Sequence, residues 1–110
     1  MQKWLIVVEV NCTDPDRVQE LHDWYQKTHI PDLLQLPGIV GVTRYENVTP
    51  GDVRSRFLTL LEVEADDVWQ VTTKLQEDSA RAEKEGRRTE LLQIVAGAVY
   101  KQLSEDTRQP

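Results

Sequence analysis

The chain contains a single cysteine, Cys12, among its 110 residues. One thiol excludes an internal disulfide and cannot by itself build a cysteine-based metal site. It fits a reducing compartment, and without a C-x-x-C loop it also excludes a copper-chaperone site. No apolar run approaches the roughly 18 residues of a transmembrane helix. The N-terminal stretch has no long apolar segment of the secretory kind and already includes Glu9, so the expected location is the cytoplasm. Glycine-rich phosphate loops are absent, and nucleotide cofactors are not indicated. Neither a G-x-S-x-G elbow nor a Cys–His nucleophile pattern occurs. Cationic residues are in deficit: 13 Lys and Arg against 19 Asp and Glu give a net charge of −6. Nucleic acids and anionic membranes both need a basic face to neutralise phosphate, so neither is an expected partner. An RNA-binding sheet would also need exposed aromatics on its central strands, where only Phe57 is available.

What is present describes one ordinary domain. The chain is 39% hydrophobic and 29% charged, and its length suits a single modest core. The apolar run Trp4-Leu5-Ile6-Val7-Val8, followed by Glu9-Val10-Asn11, reads as a first strand apolar on both faces. Asp14 at an N-cap and Pro15 at the first helical position open a helix. Val18, Leu21, Tyr25 and then Thr28 or His29 repeat at helical spacing. Because the residue before a proline avoids the α region, this helix is expected to finish near His29 or Ile30. Pro31 would then open a short turn closed by Pro37-Gly38. Residues 39–46 and 57–64 read as strands joined by a polar loop with a turn at Thr49-Pro50-Gly51-Asp52. Asp66-Asp67 starts a second helix with Val68, Val71, Leu75 and Ala82 on one stripe, and Gly86 stops it. Residues 91–103 contain the last strand. The domain spans residues 1–103, and residues 104–110 form a polar, frayed tail.

Strand, helix, strand, strand, helix, strand is the ferredoxin-like order: an α+β fold with a four-stranded antiparallel sheet and both helices on one face. The strands, however, are apolar on both faces. Trp4, Ile6 and Val8 oppose Leu5 and Val7; Leu58 and Leu60 oppose Phe57, Leu61 and Val63; Leu92 and Ile94 oppose Leu91 and Val95. Two helices cover one face only. At roughly 25 cal/mol per Å² of apolar surface, a wet second face would forgo several kcal/mol. A homodimer through the open sheet face resolves this.

Few side chains could carry chemistry. His29 can give or take a proton near neutral pH, or it can cap the last carbonyls of its helix. Tyr25, four residues earlier, shares its helix face and could orient the imidazole or donate to a substrate oxygen; it is equally a core tyrosine. Trp24 reads as packing. Asp32 could cap the turn after Pro31, the favoured reading, or hold His29 in one tautomer. Arg44 and Tyr45 alternate along a strand and so face opposite ways; Arg44 in a cleft would offer a fork to a carboxylate or enolate. Glu9 and Asn11 could reach into a cavity or mark the end of the core, and Glu62 has the same ambiguity. His22 and His29 are two turns, about 10 Å, apart along a helix. With no cysteine or acidic cluster to complete a site, no metal is expected.

The run Trp24-Tyr25-Gln26-Lys27-Thr28-His29-Ile30-Pro31-Asp32-Leu33-Leu34-Gln35-Leu36-Pro37-Gly38, followed by a strand bearing Arg44-Tyr45, resembles the EthD-like members of the dimeric α+β-barrel superfamily. Their pattern is W-Y-x-x-x-H-x-P-x-L-x-x-x-P-G, then a strand with R-Y. The resemblance extends from Lys3 to about Leu103 and implies a ferredoxin-like subunit paired into a dimeric α+β barrel. It also implies that the histidine at position 29 faces the pocket. A haem-degrading relative in that superfamily would carry a histidine after His29, and none exists, so no haem is expected.

The resulting expectation is a cofactor-independent enzyme acting on a small apolar or aromatic carbonyl metabolite by isomerisation, cyclisation or dehydration. His29 would be the acid or base, Tyr25 or Tyr45 the donor to oxygen, and Arg44 the anchor of an acidic group. Asp32, Glu9 and Asn11 would complete the substrate site. Two other readings stay open: a non-catalytic ligand-binding or accessory protein, and a cofactor-free monooxygenase.

Overall fold

The computed structural model describes residues 1–110. Strand β1 (Lys3–Cys12) is followed by a 3₁₀ turn (Pro15–Arg17) and helix α1 (Val18–Trp24). A π turn (Tyr25–His29) then runs into a short helix, α2 (Ile30–Leu33). Strands β2 (Ile39–Glu46) and β3 (Phe57–Glu64), helix α3 (Val68–Lys84) and strand β4 (Leu92–Lys101) complete the chain. Residues 102–110 have no helix or strand and are exposed. The sheet order is β2-β3-β1-β4, with every neighbouring pair antiparallel.

Start signals act where expected. The Asp14 and Asp67 carboxylates accept from the backbone N–H of Asp16 and Trp69, two residues on. Helix α3 ends in a Schellman turn. Gly86 takes φ +70°, the Gly86 N–H donates to the Glu83 carbonyl, and the Arg87 N–H reaches back to that of Ala82.

The first helix does not stop at Pro31. It widens for one turn and continues to Leu33. The Ile30 N–H donates to the Tyr25 carbonyl, five residues back rather than four. Pro31 has no N–H, and its ring would collide with the carbonyl four residues earlier, that of Lys27. A wider turn immediately ahead of the proline accommodates it without breaking the helix.

The sheet has two apolar faces. Under the helices lie Ile6, Val10, Phe57, Leu61 and Val63, all buried. On the other side Leu5, Val7, Leu58 and Leu60 are half-buried, and Tyr45 and Tyr100 are more than half exposed. Simple alternation fails on β4. A bulge lets Glu9 pair with Ala96 and Val10 with Ile94, leaving Val95 between them. Leu91 is not a strand residue at all; it is buried against Leu21 and Tyr25.

The core is split. One cluster gathers Ile6, Leu33, Ile39, Leu61, Val63, Val68 and Val71. The other holds Leu21, Tyr25 and Leu91 at the opposite end of the helical arm.

Candidate functional site

A cavity of about 170 Å³ lies between the two clusters and borrows walls from both. Its floor is the helix face of the sheet: Ile6, Val8 and Val10 of β1, Thr59 and Leu61 of β3, Leu92 and Ile94 of β4. The helical arm contributes Tyr25, His29 and Leu33. Helix α3 contributes Leu75, Asp78, Ser79 and Ala82, and the segment after it adds Arg88. The volume is that of one small ring.

The π turn shapes the polar wall. Widening by one residue brings positions five apart onto the same side, so Trp24 and His29 stack with ring centres 4.5 Å apart and planes 13° from parallel. Tyr25 meets the same imidazole edge-on at 5.3 Å. The indole N–H of Trp24 donates to the Arg87 carbonyl at 2.8 Å. His29 is thus wedged by aromatic rings and forms no hydrogen bond within the protein. It does not cap its helix, and both ring nitrogens stay free for a ligand. Burial first, then the nearby Arg88 cation, push its pKa down to about 4, against smaller opposing effects of Asp78 and Asp32. The imidazole is neutral at pH 7.

Tyr25 is buried, and its hydroxyl oxygen accepts from the Thr59 hydroxyl at 3.4 Å. Its own proton is therefore free to be donated. Burial raises its pKa, so the phenol remains protonated.

The other expected site residues go elsewhere. Arg44 is on the helix face but behind Tyr25, with its guanidinium carbon 3.9 Å from the ring centre. It does not line the cavity. Tyr45, the next residue, is on the open face of the sheet, beside Val7 and Leu58. Glu9 and Asn11 are also on that face and serve the β2–β3 loop. Glu9 binds Arg54 and accepts from the Ser55 hydroxyl, while Asn11 holds the Arg54 carbonyl and the Arg56 N–H. Glu62 is exposed on the same face as Leu5. Asp32 neither caps a turn nor touches His29 through a hydrogen bond. Its two oxygens accept from the Arg87 guanidinium, each at 2.9 Å, and this pairing holds its carboxyl below the usual range. No three His, Cys, Asp or Glu side chains gather into a group that could hold a metal ion.

Sequence reasoning missed Asp78, Ser79 and Arg88. The signal was a gap in a stripe. Helix α3 has apolar side chains at Val68, Val71 and Leu75, then polar Asp78 and Ser79 where the next apolar residue belongs, then Ala82. Asp78 is buried and accepts from Arg81 at 2.6 Å. A buried acid on the inward face of a helix marks a polar opening in the core.

No protein-family model matches the chain, and no curated protein matches its sequence. Solved structures do. HapK from Hahella chejuensis superposes with a TM-score of 0.69 at 10% identity, over 97% of this chain and 99% of that one. A dimeric ferredoxin-like protein from an uncultured marine organism gives 0.69 at 11%, over 96% and 100%. An ethyl tert-butyl ether D (EthD) family protein from Bacillus halodurans C-125 gives 0.62 at 18%, over 94% and 100%. The last is the structural counterpart of the resemblance carried by residues 24–45. At these identities the likeness is one of fold, and the chain is a ferredoxin-like α+β domain of the kind found in EthD-family and dimeric ferredoxin-like proteins.

Proposed function

We propose that the domain is a cofactor-independent enzyme that moves a proton on a small, largely apolar carbonyl compound, with isomerisation, cyclisation or dehydration as the outcome. One observation carries this reading: a half-buried, neutral imidazole with no protein partner forms part of the wall of an apolar cavity beside a phenol whose proton is free. Removing a proton next to a carbonyl needs a base, a donor for the enolate oxygen and a dry site. His29 would take the proton from carbon, and the Tyr25 hydroxyl would donate to the developing oxyanion. The proton on His29 would then return to carbon or to a leaving hydroxyl. Arg44 would act through Tyr25, whose ring it covers.

Two copies would pair through the open face of the sheet. The half-buried leucines and valines there support this reading, as does the dimeric state named for a structural neighbour. Tyr45 would then lie at the interface.

A second reading has its own support. An imidazole with a pKa near 4 is a weak base, which suits a non-catalytic ligand-holding or accessory protein. Deuterium wash-in separates the two. Small aryl ketones in D₂O are followed by NMR with wild-type protein and His29→Ala. Exchange above background that falls by about 10²- to 10⁴-fold in the variant supports the enzyme. No exchange with any ketone in the panel favours the accessory protein.

A further inference from the structure

The cavity contains one charge that the protein leaves unanswered. Arg17, Arg54, Arg56, Arg81 and Arg87 each hold a carboxylate. Arg88 has none within 4.0 Å and donates no side-chain hydrogen bond to the protein, although it lines the cavity. The one acid in the same lining, Asp78, is already committed to Arg81. Arg44 is also without a carboxylate, but its guanidinium is spent on the Tyr25 ring, outside the cavity.

The placement of Arg88 is built rather than incidental. The Schellman turn at Gly86 fixes where the chain leaves α3. Arg87 is then clamped twice, by its guanidinium to Asp32 and by its carbonyl to the Trp24 indole. With its neighbour held on both sides, Arg88 is delivered to the cavity that His29 and Ser79 also line. A guanidinium cannot shed its charge, and its planar fork matches a carboxylate.

We infer that the cavity takes a small hydrophobic carboxylate, of the size of a single ring, with its charge on Arg88 and its body on the apolar floor below His29. This deepens the proposed function and rests on the cavity being a ligand site. It also bears on the weak base, whose pKa is lowered first by burial and then by Arg88. A bound carboxylate offsets the Arg88 cation and so removes the second of these causes, while burial, the first, remains. The other charged groups acting on that imidazole, Asp78, Asp32 and Arg44, stay as they are.

The test uses benzoate and its neutral isostere benzamide, titrated by calorimetry into wild-type protein and into Arg88→Gln and Arg44→Gln. NMR of the His29 ring protons locates the site. Benzoate is expected to bind at least tenfold more tightly than benzamide, to shift the His29 resonance, and to lose its preference in Arg88→Gln but not in Arg44→Gln. Equal binding of the two probes, or a preference that survives Arg88→Gln, overturns the anchor while leaving the cavity as a ligand site. Binding of neither probe overturns the anchor and the ligand site together. If Arg88→Gln does not fold, the wild-type comparison decides by itself.

Discussion

The Arg44 guanidinium covers the Tyr25 ring, its central carbon 3.9 Å from the ring centre, while its Nε is buried without a partner. A cation over a phenol contributes about 0.5–2 kcal/mol, and burying an unpaired N–H costs a similar amount. The two nearly cancel. Arg44→Met should therefore change stability by less than about 1 kcal/mol in urea melts. The same change removes a cation that lowers both histidines, so both should titrate higher by NMR. His22 should move more, because Arg44 comes second only to burial among the causes of its lowered pKa and last among those for His29. A loss of several kcal/mol would show that the stack is structural.

His29 makes stability depend on pH in one direction. Its pKa is about 4 in the folded protein and about 6.5 when exposed. Unfolded chains therefore bind a proton that folded ones do not, between pH 6.5 and 4. This contribution is fully present above pH 6.5 and is lost as pH falls through the window, to a total of about 3 kcal/mol. Urea midpoints measured from pH 7 to pH 4 should decline more steeply for wild type than for His29→Gln. Parallel curves would place the imidazole in water.

Open-face pairing predicts a mass in light scattering of twice the 12.7 kDa chain. Val7 sits centrally on that face, across from Leu60 on one side and Ala98 on the other. Val7→Glu should give a folded monomer, since the side chain points away from the helices. Wild type that stays monomeric at micromolar concentration, or a variant that stays dimeric, would remove this interface.

Gly86 occupies a left-handed turn with open space around it. Gly86→Ala meets no clash, so its cost is backbone strain alone, about 1 kcal/mol. The turn also sets the approach of Arg88. The variant should thus weaken benzoate more than benzamide, which calorimetry reads directly.

Much of the fold was legible because its punctuation is local. Asp14, Asp67 and Gly86 act through neighbours a few residues away, and β2 and β3 are bounded by turn residues. Three features needed the third dimension. Pro31 signals a helix end, yet a single wide turn lets the helix pass, and only that turn brings Trp24 onto His29. Strand alternation puts Glu9 and Asn11 on one face but cannot say that the β2–β3 loop folds over to use them. Arg88 follows Arg87 in an unremarkable pair; which of them binds Asp32 and which lines the cavity depends on a helix more than fifty residues earlier.

The division of the core into two clusters has a further consequence. Ile6, Leu33 and Leu61 belong to one cluster and Tyr25 to the other, and all four touch the same hollow. A molecule lodged there would bridge hydrophobic groups that the polypeptide itself leaves apart. Substrate and scaffold would then be energetically inseparable: each occupied site would lengthen the lifetime of the folded chain, and an idle protein would be the more perishable one.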